Sequence, residues 1–518
     1  MAEIRIGKTV IETLTSGMYE DARFVYREYV QNAADQIDKA VELGILKNRN
    51  EGRIHISIDT IGKKIIIEDN ATGIKSDEFF SLLANIALST KDRTKDKGFR
   101  GIGRLGGLGY CSRLIFETSY KGENVKSIMT WDADSLQHKL NDHNLDLDAA
   151  TVVNSVIKTD YESIDKDEHF FKVILEEVSN SELLCKKNIE EYLSMVAPVS
   201  YEPHFIFKSK IYDELKKAGL FIDEYCIYVN TDRLFKAYST TFYDIKGSQK
   251  YSYDEIFDID TFKVLNSKNE IVAWGWFGLS KFEKQIPVKG NIARGIRLRK
   301  GNIQIGSENT LVKLHKEQRG NFYFIGEVHG FHHELVPNSR RDYFNENNTA
   351  KLLNKKLKEL FHGKFYRLYH DANKLKNAVK KIDAYKIIQE DFKDKVNKGT
   401  FSSKQQENDL TESLEKARTE AVNKSKELTR FQERVINDTT LSKIYDKIVS
   451  SDSLTNVEEE PPLENNNLKE KYRSQKLSKL DRKQEKVVRK IFEIIDLMLP
   501  DLKERGEELK QKIEEEFK

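Results

Sequence analysis

Arg27-Glu28-Tyr29-Val30-Gln31-Asn32-Ala33-Ala34-Asp35 lies in a run whose apolar periodicity predicts a helix from about Tyr19 to Leu43. Glu28, Asn32 and Asp35 stand at i, i+4 and i+7, so their side chains share one helical face. Val25, Ala33, Ile37 and Ala40 supply an apolar face beside them. A carboxylate, an amide and a second carboxylate in a row suit a metal–phosphate site: one group orients water while oxygen ligands hold Mg²⁺. The same spacing also serves a solvated helix face. The residues beyond the helix decide between the two.

Arg53 to Asp59 alternates like a strand, Gly62-Lys63-Lys64 turns, and Lys64 to Asp69 reads as its hairpin partner. That strand ends in Asp69-Asn70-Ala71-Thr72-Gly73-Ile74, a carboxylate followed by a flexible turn. A helical stretch from Asp77 to Ala87 and a polar, lid-like segment from Ser89 to Lys97 come next. Gly98-Phe99-Arg100-Gly101-Ile102-Gly103-Arg104-Leu105-Gly106-Gly107-Leu108-Gly109 then concentrates glycines whose backbone amides can turn toward an anion, with a following helix start to cap phosphate. Arg113 to Thr118 returns to strand. The glycine run lacks the Gly-Lys-Ser/Thr of a Walker loop and does not sit in a dinucleotide-binding strand–loop–helix unit. The informative signal is the ordered trio: acid–amide helix, strand-end Asp with glycine, and Gly-rich loop.

This trio resembles the Bergerat-type ATP site of the GHKL superfamily, which includes gyrase, the ninety-kilodalton heat-shock chaperones, histidine kinases and MutL. Residues 27–39 around the Arg-Glu-Tyr-Val-Gln-Asn-Ala-Ala-Asp run, and the loop from Gly101 to Ser112, are most similar to the HtpG-type chaperones; Gly98-Phe99-Arg100-Gly101 is closer to MutL. The resemblance implies ATP and Mg²⁺ as cofactors, with Glu28 as general base and Asn32 as the Mg²⁺ ligand. It implies that Asp69 accepts from the adenine amino group, that Gly73 permits close approach, and that Thr118 helps Asp69 on the adenine side. Gly103, Gly106 and Gly109 would form the phosphate loop, and Asp35, Lys91, Gly101 and Gly107 complete the implied binding set. The family pattern is Asp-x-Gly-x-Gly, and Ala71 replaces its first glycine, so the turn must avoid positive φ there.

The resemblance runs on to about residue 365. Ile189 to Tyr201, the alternating stretches at 225–229 and 271–276, and the segments 295–306, 324–329 and 335–344 resemble the chaperone middle domain. Its arginine loop implies that Arg340 or Arg341 reaches the γ-phosphate, and a guanidinium there can stabilise charge on a transferring phosphoryl group. Arg297, Arg299 and Lys300 read as an exposed strand edge made polar against aggregation.

The expected fold class is α+β: a Bergerat-fold α/β sandwich over 1–185, an α/β transducer-type middle domain over 186–365, and a helical C-terminal region. That region divides into a charged helical part (366–449), a linker (450–467) and a helical segment (468–518), whose apolar cluster Val487 to Leu499 needs a cover, expected to be a second copy. Lys+Arg (86) and Asp+Glu (84) nearly cancel, so net charge makes no case for nucleic acid. Three scattered cysteines, no signal-peptide core and no run long enough to span a membrane point to the cytoplasm. The expected function is an ATPase that remodels protein clients or operon partners as a homodimer, driven by lid and domain closure. The alternative is a DNA-associated clamp of the MutL or MORC kind, in bacterial defence or repair.

Overall fold

The structure is a computed structural model that describes residues 7, 8, 10, 11, 21–86, 103–142, 148–398, 400–401, 404–449, 480–498 and 503–516. The lid-like segment, Lys91, Gly101 and the expected linker 450–467 lie outside the described residues. The chain divides into two compact units, Met1–Tyr369 and His370–Lys518, and it is α+β as expected.

In the first unit, helix α1 (Phe24–Glu42) buries Val25, Ala33, Ile37 and Ala40. Gly44, at φ 70°, ends it; the Ile45 amide reaches back to the Ala40 carbonyl at 2.9 Å. Strands β1 (Arg53–Asp59) and β2 (Lys64–Asp69) pair antiparallel from Ile54↔Asp69 to Asp59↔Lys64. Their inward isoleucines, Ile54, Ile56, Ile58, Ile65 and Ile67, are buried in one core with α1. Each such side chain is worth about 1.5–3 kcal/mol. A short helix α2 (Phe79–Ala84) precedes a 3₁₀ turn at Gly103–Gly109. The glycines therefore form the turn themselves and lead directly into β3 (Arg113–Ser119), with no helix after them. Next come β4 (Val125–Asp132), helices α3 (Ala133–Asn141) and α4 (Ala149–Asn154), β5 (Ile157–Ser163) and β6 (Phe170–Glu176).

Helices α5 (Lys186–Val196) and α6 (Lys208–Lys217) precede β7 (Cys226–Val229) and β8 (Asp232–Arg233). The eight-stranded sheet has the order β5-β4-β3-β6-β2-β1-β7-β8. Its β7 runs parallel to β1, from Arg53↔Cys226 to Ile56↔Val229, so a strand from beyond residue 185 extends the N-terminal sheet. A hairpin of β9 (Thr241–Lys246) and β10 (Gln249–Glu255) stands apart from both larger sheets. The second large sheet comprises β11 (Asp258–Leu265), β12 (Ile271–Leu279), β13 (Gly295–Lys300), β14 (Ile303–Ile305) and β15 (Ile325–Gly330). Its order is β11-β12-β15-β13-β14, with β13 and β15 parallel. Helix α7 (Asn348–Leu360) leads through a π turn (Phe361–Phe365) into α8 (Tyr366–Lys398).

The exposed-edge expectation for β13 is overturned. The strand lies between β15 and β14, and Arg299 and Arg297 are buried. Burial is tolerated because Glu327, itself fully buried, accepts from Lys236 Nζ at 2.8 Å and Tyr201 Oη at 2.5 Å, and forms an ion pair with Arg299. His329 Nε2 stands 2.9 Å from the same carboxylate. These cations outweigh desolvation and hold the Glu327 carboxyl well below its usual range. Arg299 also donates to the Met195 carbonyl at 2.8 Å, tying this sheet to the end of α5.

The second unit contains α9 (Lys404–Val435), α10 (Thr439–Ile448), α11 (Arg482–Met498) and α12 (Lys503–Glu516). On α11, Val488 and Phe492 are buried against Ile495 and Ile513, while Val487, Ile491, Ile494, Leu497 and Met498 are exposed. No described helix is long and apolar enough to cross a membrane.

Candidate functional site

Glu28 is buried on α1, Asp35 likewise, and Asn32 between them is half-buried. The expected common face therefore points inward. The 3₁₀ turn packs on it so closely that a Cβ at Gly103 would lie 2.1 Å from Glu28 Oε2. A Cβ at Gly106 would lie 2.9 Å from the Phe24 ring, and one at Gly107 would come 2.7 Å from Tyr29 Oη. Tyr29 holds the turn in place: its hydroxyl donates to the Arg104 carbonyl at 2.9 Å and accepts from the Gly107 amide at 3.2 Å. Gly106 and Gly107 are thus demanded by packing on α1, whatever else their amides bind, whereas at Gly103 a methyl would meet only the Glu28 side chain. Burial lowers the Arg104 guanidinium to about 10, and this side chain donates to the Asn85 carbonyl.

Asp69 ends β2 with its carboxylate buried, and its Oδ1 accepts from the Ala71 amide at 3.0 Å. Ala71 is fully buried and absent from the left-handed region; Gly73 takes that conformation, at φ 67°. A Cβ at Gly73 would meet the Ser119 carbonyl oxygen at 1.9 Å, so glycine is required there for both space and backbone. Thr118 ties down the same turn. Its hydroxyl accepts from the Ile74 amide at 2.9 Å and donates to the Phe170 carbonyl at 2.8 Å. Thr72 adds a hydrogen bond to Gln36 on α1 at 2.8 Å. The Asp69 turn, β3 and α1 are therefore one connected wall.

The segment 337–344 supplies the remaining group. A bridge between Pro337 and Phe344 closes the loop, and Asn338 binds the Asp342 carboxylate across it. Within it Arg341 holds φ 54°, uncommon for a side chain of that size. Its carbonyl accepts from the Gly306 amide at 2.8 Å. This backbone places Arg341 Nε 2.9 Å from Glu28 Oε1, with both side chains buried. The contact is an ion pair without aligned hydrogen-bond geometry at Oε1. Arg340 is exposed on the same loop. Of the two arginines expected near the phosphate, Arg341 is the one brought to Glu28.

The arrangement unites Glu28, Asn32, Asp35, Gly103, Gly106, Gly107 and Arg341 around one face of α1, with Asp69, Gly73 and Thr118 on the adjoining turn. Gly109 closes the 3₁₀ turn. The donor set suits Mg²⁺, which takes one or two protein oxygens and completes its shell with phosphate and water; Asn32, one turn from Glu28, offers such an oxygen. Tyr29 escapes a reading of the sequence, although it lies inside the decisive helix. Its signal there is an aromatic one position from an acid, which also fits an ordinary core residue.

Residues 19–166 match the family model described as histidine kinase-, DNA gyrase B- and HSP90-like ATPase. This domain is thus of the GHKL superfamily, and it is HtpG-like in sequence. The chaperone protein HtpG of Anaplasma phagocytophilum is 28% identical over 141 residues, covering 24% of this chain and 22% of that protein. HtpG of Helicobacter pylori is 27% identical over 142 residues, covering 24% and 22%. HtpG of Chlorobium phaeovibrioides is 30% identical over 87 residues, covering 16% and 14%. The matched segments span about a quarter or less of these curated relatives.

Proposed function

We propose that the chain is an HtpG-like, partner-remodelling ATPase in which Glu28 is the general base and Arg341 the charge-stabilising group. The observation that carries this reading is the buried Arg341–Glu28 contact, a guanidinium from the 337–344 loop meeting a carboxylate on the nucleotide-domain helix. In the reaction, a water oxygen bonds to the γ-phosphorus as the bond from that phosphorus to the β–γ bridging oxygen breaks. The water proton passes to Glu28, and ADP departs with the bridging oxygen. Arg341 leaves Glu28 for the transferring phosphoryl group, which frees the base and offsets the charge developing on the phosphoryl oxygens. Such an arginine is worth about 10³–10⁵ in rate.

Asn32 would hold Mg²⁺, which when bound neutralises phosphate charge. Asp69 would accept from the adenine amino group, Gly73 would admit the ring, and Asp35, Thr118 and the 103–109 turn would line the remainder. Lys91 and Gly101 join this set through the resemblance alone. Because Arg341 has to move, turnover is gated by domain rearrangement and is slow. The cycle is proposed to act on protein clients or partner proteins, in a homodimer. The test is nucleotide binding by Asp69→Asn: affinity should fall at least tenfold, and unchanged affinity would move the adenine site elsewhere.

A further inference from the structure

A cleft of about 1120 Å³ opens beside the first turn of α1, between that helix, α5 and the loops 304–314 and 340–343. Arg27, Arg294, Arg297, Lys313, Arg340 and Arg341 all line it. The carboxylates, Asp21, Glu191, Glu308 and Asp342, are fewer. Asp21 is paired with Arg23 at 2.8 Å, Glu308 lies 3.5 Å from Arg297, and Asp342 is bound to Asn338. The cleft therefore carries surplus positive charge within low-dielectric walls that include Phe24, Met195, Val196 and Ile292, a geometry that concentrates small anions. Arg341 lines the cleft, and its guanidinium also touches Glu28. Arg27, Arg297 and Arg341 are each more than nine-tenths buried. A small oxyanion can reach such recessed cations; a nucleic-acid duplex cannot. Arg297, which lines the cleft, also has a buried donor, Nε, without a hydrogen-bond partner.

We propose that this cleft is an inorganic-phosphate site, adjoining the nucleotide site at Arg341, that takes up the phosphate released there. The source of the ligand rests on the ATP-hydrolysis reading above; the cleft's affinity for phosphate does not. Phosphate leaving the far side of Arg341 from the nucleotide would depart without requiring ADP to leave first.

The test is calorimetric titration of inorganic phosphate into the full chain at low salt, nucleotide-free and again with a saturating β,γ-imido ATP analogue. The expected result is one phosphate site under both conditions, weakened about tenfold by Lys313→Glu. Lys313 is exposed, so this substitution leaves the fold intact, and the thermal unfolding midpoint serves as the check. Absence of phosphate binding overturns the proposal. So does loss of the site when the analogue is bound, since phosphate would then be occupying the γ-position. Affinity unmoved by Lys313→Glu overturns it too, as does tight, salt-dependent duplex DNA binding that Lys313→Glu abolishes while phosphate affinity stays constant. If the analogue itself fails to bind, the ATPase reading falls, and the nucleotide-free titration still decides the cleft.

Discussion

Gly103→Ala isolates the position of the proposed base from the stability of the fold. The new methyl would lie 2.1 Å from Glu28 Oε2 and 3.0 Å from Cδ, whereas ordinary contact begins at 3.4 Å. The carboxylate must retreat by about 1.3 Å, and Arg341 Nε, already 2.9 Å from its other oxygen, limits where it can go. Gly103 is outside the left-handed region, so alanine is compatible with its backbone. The displaced atom is the end of a side chain, and the expected cost to folding is below about 1 kcal/mol. Catalysis is far less tolerant, because a misplacement of about 1 Å costs roughly 100-fold in rate. At about 1.4 kcal/mol per tenfold, that is close to 3 kcal/mol of barrier. The assay is steady-state hydrolysis at saturating Mg–ATP, alongside analogue binding and thermal unfolding. The expected outcome is a kcat down about 100-fold, with binding and melting temperature little changed. A kcat within threefold of wild type in a folded protein would refute the assignment of this carboxylate to the chemistry.

Other perturbations test the scaffold. Lys236→Met removes one buried cation from Glu327 while Arg299 remains; the urea-unfolding free energy should fall by about 3 kcal/mol, the lower end for a broken buried pair. His315, stacked on Phe361 at 4.2 Å, is pushed down to about 3 by burial. The unfolded chain therefore binds this proton more readily: the contribution is intact above about pH 6.5 and is lost progressively as pH falls toward about 3. At pH 5 the loss is about 2 kcal/mol relative to pH 7, and urea midpoints of His315→Phe should lack that part of the pH dependence.

Much of the nucleotide-domain wall was legible because its signals are local. The 3.6 period set α1, the alternation of isoleucines set the β1–β2 hairpin, and Asp69 with Gly73 marked a flexible turn at the strand end. The inference that Ala71 could avoid positive φ holds, since Gly73 alone takes it within the turn. What escaped was non-local. Nothing near Arg299 announces Glu327, so a buried charge cluster looked like a polar edge. The 225–229 strand read as part of the middle domain, whereas its parallel pairing with β1 joins it to the first sheet. The glycine run read as an anion cradle, and its close packing against Phe24, Tyr29 and Glu28 leaves no trace in its own composition. Arg340 and Arg341 were indistinguishable by type; the left-handed backbone at Arg341 separates them.

The most direct measurement pairs nucleotide binding with hydrolysis in Glu28→Ala. The predicted result is a folded, Mg–ATP-saturable variant that binds ATP with affinity near wild type and turns it over at least 100-fold more slowly, in line with the 10²–10⁴-fold contribution of a general base. Hydrolysis at the wild-type rate would contradict the role assigned to Glu28.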